Sequence, residues 1–186
     1  MQDTYRADKR DPQKIKEVNG FQLWIPEFKV EDARFLIQIY AGVMKYDPDT
    51  MGHMAQLVKN KQLILEDQLL KGGKMDPGAL MQWIISEKNQ NRPTISTSFD
   101  KDCGGYAKSC YRYTIGGKGI DERGWAQAIP GSKDWQPGVT CPNLYLNNDK
   151  LSDADIIAVA SGRSAKELTF LVPVRWSMIT NSEFVN

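Results

Sequence analysis

The spacing of apolar residues changes near the middle of the chain, from a helical period to a strand-like alternation. In the first half, apolar residues recur every three or four positions and predict three long helices, over about 31–46, 51–70 and 76–89. A shorter helix is predicted over 13–18, with Pro12 in its first turn. These helices are expected to bury one apolar face each against a core.

Segments rich in β-branched and aromatic residues predict strands, mostly in the second half. The predicted strands are Tyr5–Asp8, an extended piece over Phe21–Pro26, and segments 94–99, Tyr106–Ile115, 143–146 and 167–172. Between them, the glycine-rich stretch 116–139 predicts a long structured loop. A short helix is predicted over 151–160, where Ser152 and Asp155 resemble a capping box.

The order of these elements predicts the α+β fold class, with a mostly antiparallel sheet. We expect a single domain over residues 1–186, in which a helical lobe at about 31–90 is inserted ahead of most of the sheet. The lobe is expected either to recognise a target or simply to cover one side of the functional cleft.

Composition and charge narrow the class of protein. The 186 residues are 41% hydrophobic and 25% charged, which is typical of a globular protein and excludes collagen, disordered chains and coiled coils. Because 24 Lys and Arg balance 23 Asp and Glu, the net charge is +1, which argues against a protein built around nucleic-acid binding. No apolar run approaches the length of a membrane span, and the polar start of the chain predicts no signal peptide.

Several kinds of site are excluded by what the chain contains. Cys103, Cys110 and Cys141 are an odd set without the spacing of a zinc site, and we expect them to be thiols in a reducing compartment. The single histidine, His53, lies in a predicted helix and is expected to be structural. No metalloprotease, phosphate-loop or EF-hand motif is present, and no metal-ligand set is visible, so no metal is expected.

Three polar features at predicted strands remain as candidates for chemistry. They are Arg6 in the first strand, the triplet Ser96-Thr97-Ser98, and Glu167 at the start of an otherwise apolar strand. Taken singly, they are explained as a surface charge, an edge strand and a solvated strand start. Their order along the chain is more informative than any one of them.

That order resembles the cholera-toxin-like mono-ADP-ribosyltransferases of the Arg-Ser-Glu class. The segment Tyr5-Arg6-Ala7-Asp8-Lys9-Arg10-Asp11-Pro12, followed by Asn19-Gly20-Phe21, is similar to the opening arginine strand of that family. Ser96-Thr97-Ser98 matches its serine-threonine-serine strand, and Glu167 matches its catalytic glutamate. The resemblance implies an ADP-ribosyltransferase-like split sheet and NAD as a co-substrate.

The resemblance also implies roles for these residues. Glu167 would stabilise the oxocarbenium-like transition state through the ribose 2-hydroxyl. Arg6 would grip phosphate oxygens of NAD, and the backbone of Ala7 would meet the nicotinamide amide. Ser96 would hydrogen-bond Glu167 and fix its rotamer.

The remaining implied contacts concern the strand after Ser96 and the nicotinamide ring. Thr97 and Ser98 would shape the strand beside the cofactor site. An aromatic platform for the nicotinamide ring is expected, and Phe99 and Tyr106 are both candidates.

The chain departs from the family at the acceptor position. Two residues before the catalytic glutamate, where arginine-modifying members carry a glutamate and guanine-modifying members a glutamine, the chain has Ala165. Alanine cannot accept a guanidinium hydrogen bond, so we expect an acceptor other than protein arginine, such as a hydroxyl. Lys166 on the same loop is a candidate for contact with the target. The near-neutral charge favours a target protein over nucleic acid.

The resemblance thus implies a bacterial toxin or secreted virulence effector that acts on a protein in the cytoplasm of a host or competitor cell, without a membrane partner. We expect the chain to be a catalytic fragment or a domain of a larger effector. Three alternatives stay open: ADP-ribosylation of nucleic acid, an NAD glycohydrolase, and a non-catalytic relative that acts as a binder.

Overall fold

A computed structural model describes residues 1–73, 79–80, 83, 93–132, 144–147, 156–160 and 166–186. Its strands are β1 (Thr4–Asp8), β2 (Gly20–Phe21), β3 (Ile95–Ser98), β4 (Cys110–Ile115), β5 (Ile120–Arg123), β6 (Leu144–Asn147), β7 (Ile156–Ala160), β8 (Glu167–Phe170), β9 (Val174–Arg175) and β10 (Ile179–Val185). Its α-helices are α1 (Pro12–Glu17), α2 (Val30–Tyr40), α3 (Gly52–Lys59), α4 (Asp67–Leu70) and α5 (Trp125–Ala128). Short 3-10 turns occupy Cys103–Gly105 and Trp176–Met178.

Eight strands form one sheet in the order β10-β4-β1-β3-β8-β7-β6-β5, and β2 pairs with β9 in a small second sheet. The strand pairs with a recorded register are antiparallel. The prediction of an α+β chain with a mostly antiparallel sheet is therefore confirmed.

The centre of the large sheet brings together three strands that are far apart in the sequence. β1 lies between β4 and β3, and β8 pairs with the other edge of β3. In this register Tyr5 is opposite Ser98, and Ser98 is opposite Glu167. The arginine strand, the serine-threonine-serine strand and the glutamate strand are thus immediate neighbours.

The helices of the first half bury apolar faces, as their spacing predicts. In α2 the side chains of Leu36, Ile37 and Tyr40 are fully buried, and the helix packs against β7 and α3. His53 in α3 places Nδ1 2.8 Å from Oδ2 of the buried Asp32, so the single histidine joins these two helices. Among the described residues, no helix has both the length and the apolar character needed to cross a membrane.

The prediction of a helix over 151–160 is wrong for the part that the structure describes. Ile156–Ala160 is strand β7, between β6 and β8, with Ala158 and Val159 fully buried. The Ile-Ile-Ala-Val-Ala run is apolar throughout, as a central strand covered on both faces requires. The capping-box pair Ser152 and Asp155 lies outside the described residues.

Two other predicted boundaries are also corrected. The stretch 116–139 is not simply a loop, because it contains β5 and α5, with Ile120 and Trp125 in the core. The helix predicted over 51–70 is two helices, since α3 ends at Lys59 and Lys61 adopts a left-handed φ of 57°. That left-handed residue turns the chain, so that Leu63 is buried outside any helix.

The remaining differences are three elements that are shorter than predicted and two strands that the sequence did not predict. Helix α2 ends at Tyr40 rather than 46, β2 ends at Phe21 rather than 26, and β4 begins at Cys110 rather than 106. Strands β9 and β10 were not predicted. Most of the helix predicted over 76–89 lies outside the described residues.

Candidate active site

A cleft of about 480 Å³ lies over the junction of β1, β3 and β8. Its walls come from these strands and from the loop that follows β3. The lining residues are Tyr5, Arg6, Ala7, Ser96, Thr97, Ser98, Asp100, Asp102, Cys103, Gly104, Tyr106 and Glu167. Arg6, Ser96 and Glu167, the three residues singled out in the sequence, therefore share one cavity.

Arg6 is held at the cleft wall by its backbone strand and by contacts around its guanidinium group. Nη1 donates a 2.7 Å hydrogen bond to the carbonyl oxygen of Ser96. Nε is buried and has no hydrogen-bond partner within the described part of the chain, with a carboxylate oxygen of Asp8 3.9 Å away. Burial lowers the pKa of Arg6, although a guanidinium remains a cation throughout the physiological range.

Asp8 and Arg10 form an ion pair next to Arg6. Arg10 donates from Nε and Nη2 to the two carboxylate oxygens of Asp8, at 2.9 and 2.6 Å. Burial opposes ionisation of Asp8, but the hydrogen bonds from Arg10 outweigh it and hold the pKa of Asp8 below its ordinary value. The carboxylate thus stays charged and compensates part of the positive charge of Arg6.

Glu167 is the first residue of β8 and is half-buried at the cleft. The fully buried Thr169 places its Oγ1 3.5 Å from Oε1 of Glu167, within the same strand. On the next strand, Thr97 donates from Oγ1 to the carbonyl oxygen of Leu168 at 2.8 Å. This bond supplements the backbone ladder between β3 and β8 beside the glutamate.

The two serines of the triplet lie on the same face of β3 but differ in their neighbours. Ser98 is directly opposite Glu167, whereas Ser96 is opposite Thr169. Ser96 is therefore a diagonal neighbour of Glu167, at a separation of roughly 7–8 Å typical for such pairs. Among the described residues, the side chain of Glu167 accepts a hydrogen bond from the hydroxyl of Thr169 and not from that of Ser96.

The candidates for the nicotinamide side lie in different environments. Ala7 lines the cleft, and Tyr106 lines it with 81% of its surface exposed. Phe99 is not part of the lining, and its ring packs against Tyr145 with 6.2 Å between centroids.

The loop after β3 supplies cleft residues that the sequence reasoning did not identify. Asp100 donates from its backbone N–H to Oγ of Ser98 at 3.0 Å, and the carboxylate of Asp102 accepts from the N–H of Gly104 at 3.1 Å. Cys103 has a left-handed φ of 52°, and burial raises the pKa of its thiol. The Asp-Cys-Gly-Gly segment over 102–105, separated from the triplet by three residues, is the sequence signal that could have identified this wall.

Lys166 connects this loop to the start of β8. Its Nζ lies 2.9 Å from Oδ1 of Asp100, and its carbonyl oxygen accepts a 2.7 Å hydrogen bond from the N–H of Phe99. Lys166 adopts a left-handed φ of 45° immediately before Glu167. The acceptor-position residue Ala165 lies outside the described residues.

Comparison with known proteins finds no family model and no curated protein that matches this chain. The residues of the cleft are therefore the guide to its chemistry. The half-buried carboxylate of Glu167 and the half-buried guanidinium of Arg6 line one cavity, together with backbone groups and the exposed ring of Tyr106. Such a site suits a substrate that carries an anionic group and develops positive charge as it reacts.

Proposed function

We propose that the chain is an NAD-dependent mono-ADP-ribosyltransferase with the fold of that family. It cleaves the bond between nicotinamide and ribose and transfers ADP-ribose to a target protein. The observation that supports the proposal is that Arg6, Ser96 and Glu167, whose order resembles the family motif, line one cleft from three adjacent strands.

Glu167 acts on the sugar. Departure of nicotinamide leaves positive charge on the ribose, and a carboxylate that accepts a hydrogen bond from the 2-hydroxyl stabilises that charge more strongly as it grows. Thr169 holds one carboxylate oxygen of Glu167 by its hydroxyl. In the proposed reaction, the other oxygen accepts the hydrogen bond from the 2-hydroxyl.

Arg6 binds the anionic part of NAD. Its Nη1 is engaged by the Ser96 carbonyl, which orients the plane of the guanidinium. A guanidinium has five N–H donors, and the hydrogen bond to Ser96 uses one of them on Nη1, so the terminal nitrogens retain donor capacity for an anion. The cavity volume is within the roughly 300–1,000 Å³ of small-molecule sites, which supports a fit to a nucleotide portion.

The other cleft residues orient nicotinamide and Glu167. The backbone of Ala7 meets the nicotinamide amide, and Tyr106 rather than Phe99 supplies the aromatic surface, because Phe99 is packed against Tyr145. Ser96, as a diagonal neighbour of Glu167, reaches it when substrate is bound. Thr97 and Ser98 hold β3 against β8 and the following loop.

The acceptor is a side chain other than arginine on a target protein, such as a hydroxyl. This follows from Ala165, which cannot hydrogen-bond a guanidinium or read a base edge. The balanced charge of the chain favours a protein over a nucleic acid as acceptor. By its resemblance, the enzyme serves as a bacterial toxin or effector in the cytoplasm of a target cell.

The experiment that tests catalysis is release of nicotinamide from NAD by the purified chain. Glu167→Gln should reduce release at least about 100-fold, since it removes transition-state charge stabilisation. Glu17→Gln, a change to an exposed glutamate of α1, is the matched control and should retain activity. An active Glu167→Gln variant, or a wild-type chain that releases no nicotinamide, would refute the proposal.

Transfer is tested separately with NAD labelled in its adenine ring and a cell lysate. Label on protein that resists nuclease and is lost with protease supports the proposed acceptor class, and mass spectrometry identifies the modified side chain. Label on nucleic acid, or label that stays in free ADP-ribose, would overturn the protein-transferase assignment in favour of a nucleic-acid modifier or a glycohydrolase.

A further inference from the structure

Phe21 lies beneath the guanidinium group of Arg6, although the two residues are 15 positions apart in the sequence. Phe21 has no role in the function proposed above. Cζ of Arg6 is 5.0 Å from the centroid of the Phe21 ring, and Cζ of Arg10 is 5.7 Å from the same centroid. The ring is 1% exposed. Two cations thus share one buried aromatic ring.

The ring compensates for a missing contact of Arg6. Nε of Arg6 is buried without a hydrogen-bond partner within the described ranges, an arrangement that ordinarily costs free energy. An aromatic face attracts a guanidinium through its quadrupole, most strongly where water is excluded. Phe21 therefore stabilises Arg6 where hydrogen bonds do not.

The ring itself is fixed from its edge. Tyr113, the partner of Arg6 in the pairing of β1 with β4, contacts Phe21 edge-on with 5.2 Å between centroids and 84° between planes. The hydroxyl of Tyr113 donates a 2.6 Å hydrogen bond to the carbonyl oxygen of Arg10. Burial raises the pKa of Tyr113, so the hydroxyl stays protonated and able to donate.

The backbone that carries Phe21 is also constrained. Phe21 pairs with Val174 in the β2–β9 ladder, and the preceding Gly20 has a φ of 105°. A Cβ at Gly20 would overlap the carbonyl oxygen of Val174, so only glycine permits this close approach. The small sheet thus holds the backbone of Phe21 in the position from which its ring contacts the two arginines.

We propose that Phe21 is a positioning residue for Arg6, which holds the guanidinium in the orientation that binds the anionic group of the substrate. The inference rests on the proposed use of NAD, but its geometric part stands without it. Phe21 touches Arg6 and Tyr113, not the cleft, and so acts on substrate only through Arg6.

The sharpest test replaces Phe21 by trifluorophenylalanine, which keeps the shape of the ring and weakens its attraction for cations. We expect KM for NAD to rise about 10-fold, equivalent to ~1.4 kcal/mol of binding, with kcat changed much less. The same replacement at the buried Phe28 is the matched control and should leave KM unchanged. An unchanged KM in the Phe21 protein would overturn the proposal.

A second measurement needs no substrate. The Nε–H proton of Arg6 should resonate upfield in the NMR spectrum because of the ring current of Phe21, and it should return to an ordinary shift in Phe21→Leu. If NAD is not bound but the shifted resonance is present, the proposed function fails and the positioning contact stands. If NAD is bound and the resonance is ordinary in the wild-type protein, the positioning role fails and the proposed function stands.

Discussion

Ser98, rather than Ser96, lies directly opposite Glu167 in the pairing of β3 with β8. The side chains of Ser98 and Glu167 therefore leave the sheet on the same face and side by side. Ser98 also accepts a hydrogen bond from the backbone of Asp100, so it connects the glutamate strand to the loop that walls the cleft.

The first prediction concerns this serine. Ser98→Ala removes the acceptor of the Asp100 N–H and should lower the free energy of unfolding by about 1 kcal/mol. Ser96→Ala should affect stability less, because Ser96 is exposed and its contact with Arg6 is made by its backbone. Urea denaturation of both variants measures the difference, and equal losses would contradict it.

Thr169→Val should separate positioning of Glu167 from its chemistry. Valine has nearly the shape of threonine but loses the hydroxyl that lies 3.5 Å from Oε1 of Glu167. We expect kcat for nicotinamide release to fall about 3- to 10-fold while KM for NAD changes little, since an orienting contact is removed and not the carboxylate. A change in KM alone would argue against this role.

The left-handed backbone at Lys166 gives a comparison of two substitutions. Lys166→Ala and Lys166→Gly both lose the exposed ion pair with Asp100, which contributes at most about 1 kcal/mol. Only glycine adopts the φ of 45° without strain, so Lys166→Gly should be more stable than Lys166→Ala by about 1 kcal/mol. Thermal denaturation of the pair checks the order.

We expect the ionised carboxylate of Asp8 to contribute to the free energy of unfolding, and this contribution to be lost in acid. Its pKa in the folded chain is below the ordinary value of 3.8, so its ionised form contributes stability that is complete above that value. The contribution is lost as the pH falls through the folded pKa. The wild-type advantage over Asp8→Asn in urea denaturation should therefore be constant near neutrality and shrink below 3.8. An advantage that grows in acid would contradict the assignment.

Cys103 offers a chemical probe of the cleft. Because burial raises the pKa of its thiol above 9.0, alkylation by iodoacetamide should be slow at neutral pH and still accelerate beyond pH 9.0. NAD should protect the thiol, and alkylation should inhibit nicotinamide release, whereas Cys103→Ser should resist inhibition. Mass spectrometry locates the label, and inhibition that persists in Cys103→Ser would place the sensitive group elsewhere.

The sequence predicted those parts of the fold in which local pattern and tertiary context agree. The arginine strand, the Ser96-Thr97-Ser98 strand and the Glu167 strand were found because each combines strand-forming residues with clear turn signals. Ile156–Ala160 was wrongly predicted as helix because a uniformly apolar run has no period, and its pairing with both β6 and β8 makes it a strand. The break after Lys59 depends on Lys61, whose backbone adopts a left-handed φ that no residue propensity of lysine favours.

The same limit applies to the cleft. The motif that resembles the family contains Arg6, Ser96 and Glu167, so the sequence identifies them. Asp102 and Cys103 belong to a turn whose shape depends on capping and on a positive φ. The register between two strands also cannot be predicted from the pattern of one strand. Nothing within Ser96-Thr97-Ser98 shows which serine is opposite Glu167. Phe21 belongs to the segment that resembles the family, but nothing in the sequence shows its contact with Arg6, which depends on the pairing of β2 with β9.

The central place of β1 has a consequence for how the chain folds. Arg6 and Ser96 are 90 residues apart in sequence, and Thr97 and Leu168 are 71 apart, yet both pairs are hydrogen-bonded. Closing such long loops costs entropy before the contacts compensate for it, and proteins dominated by distant pairings fold slowly. The cleft should therefore assemble late, after the helices of the first half, and a nascent chain should lack the site until β8 has been synthesised.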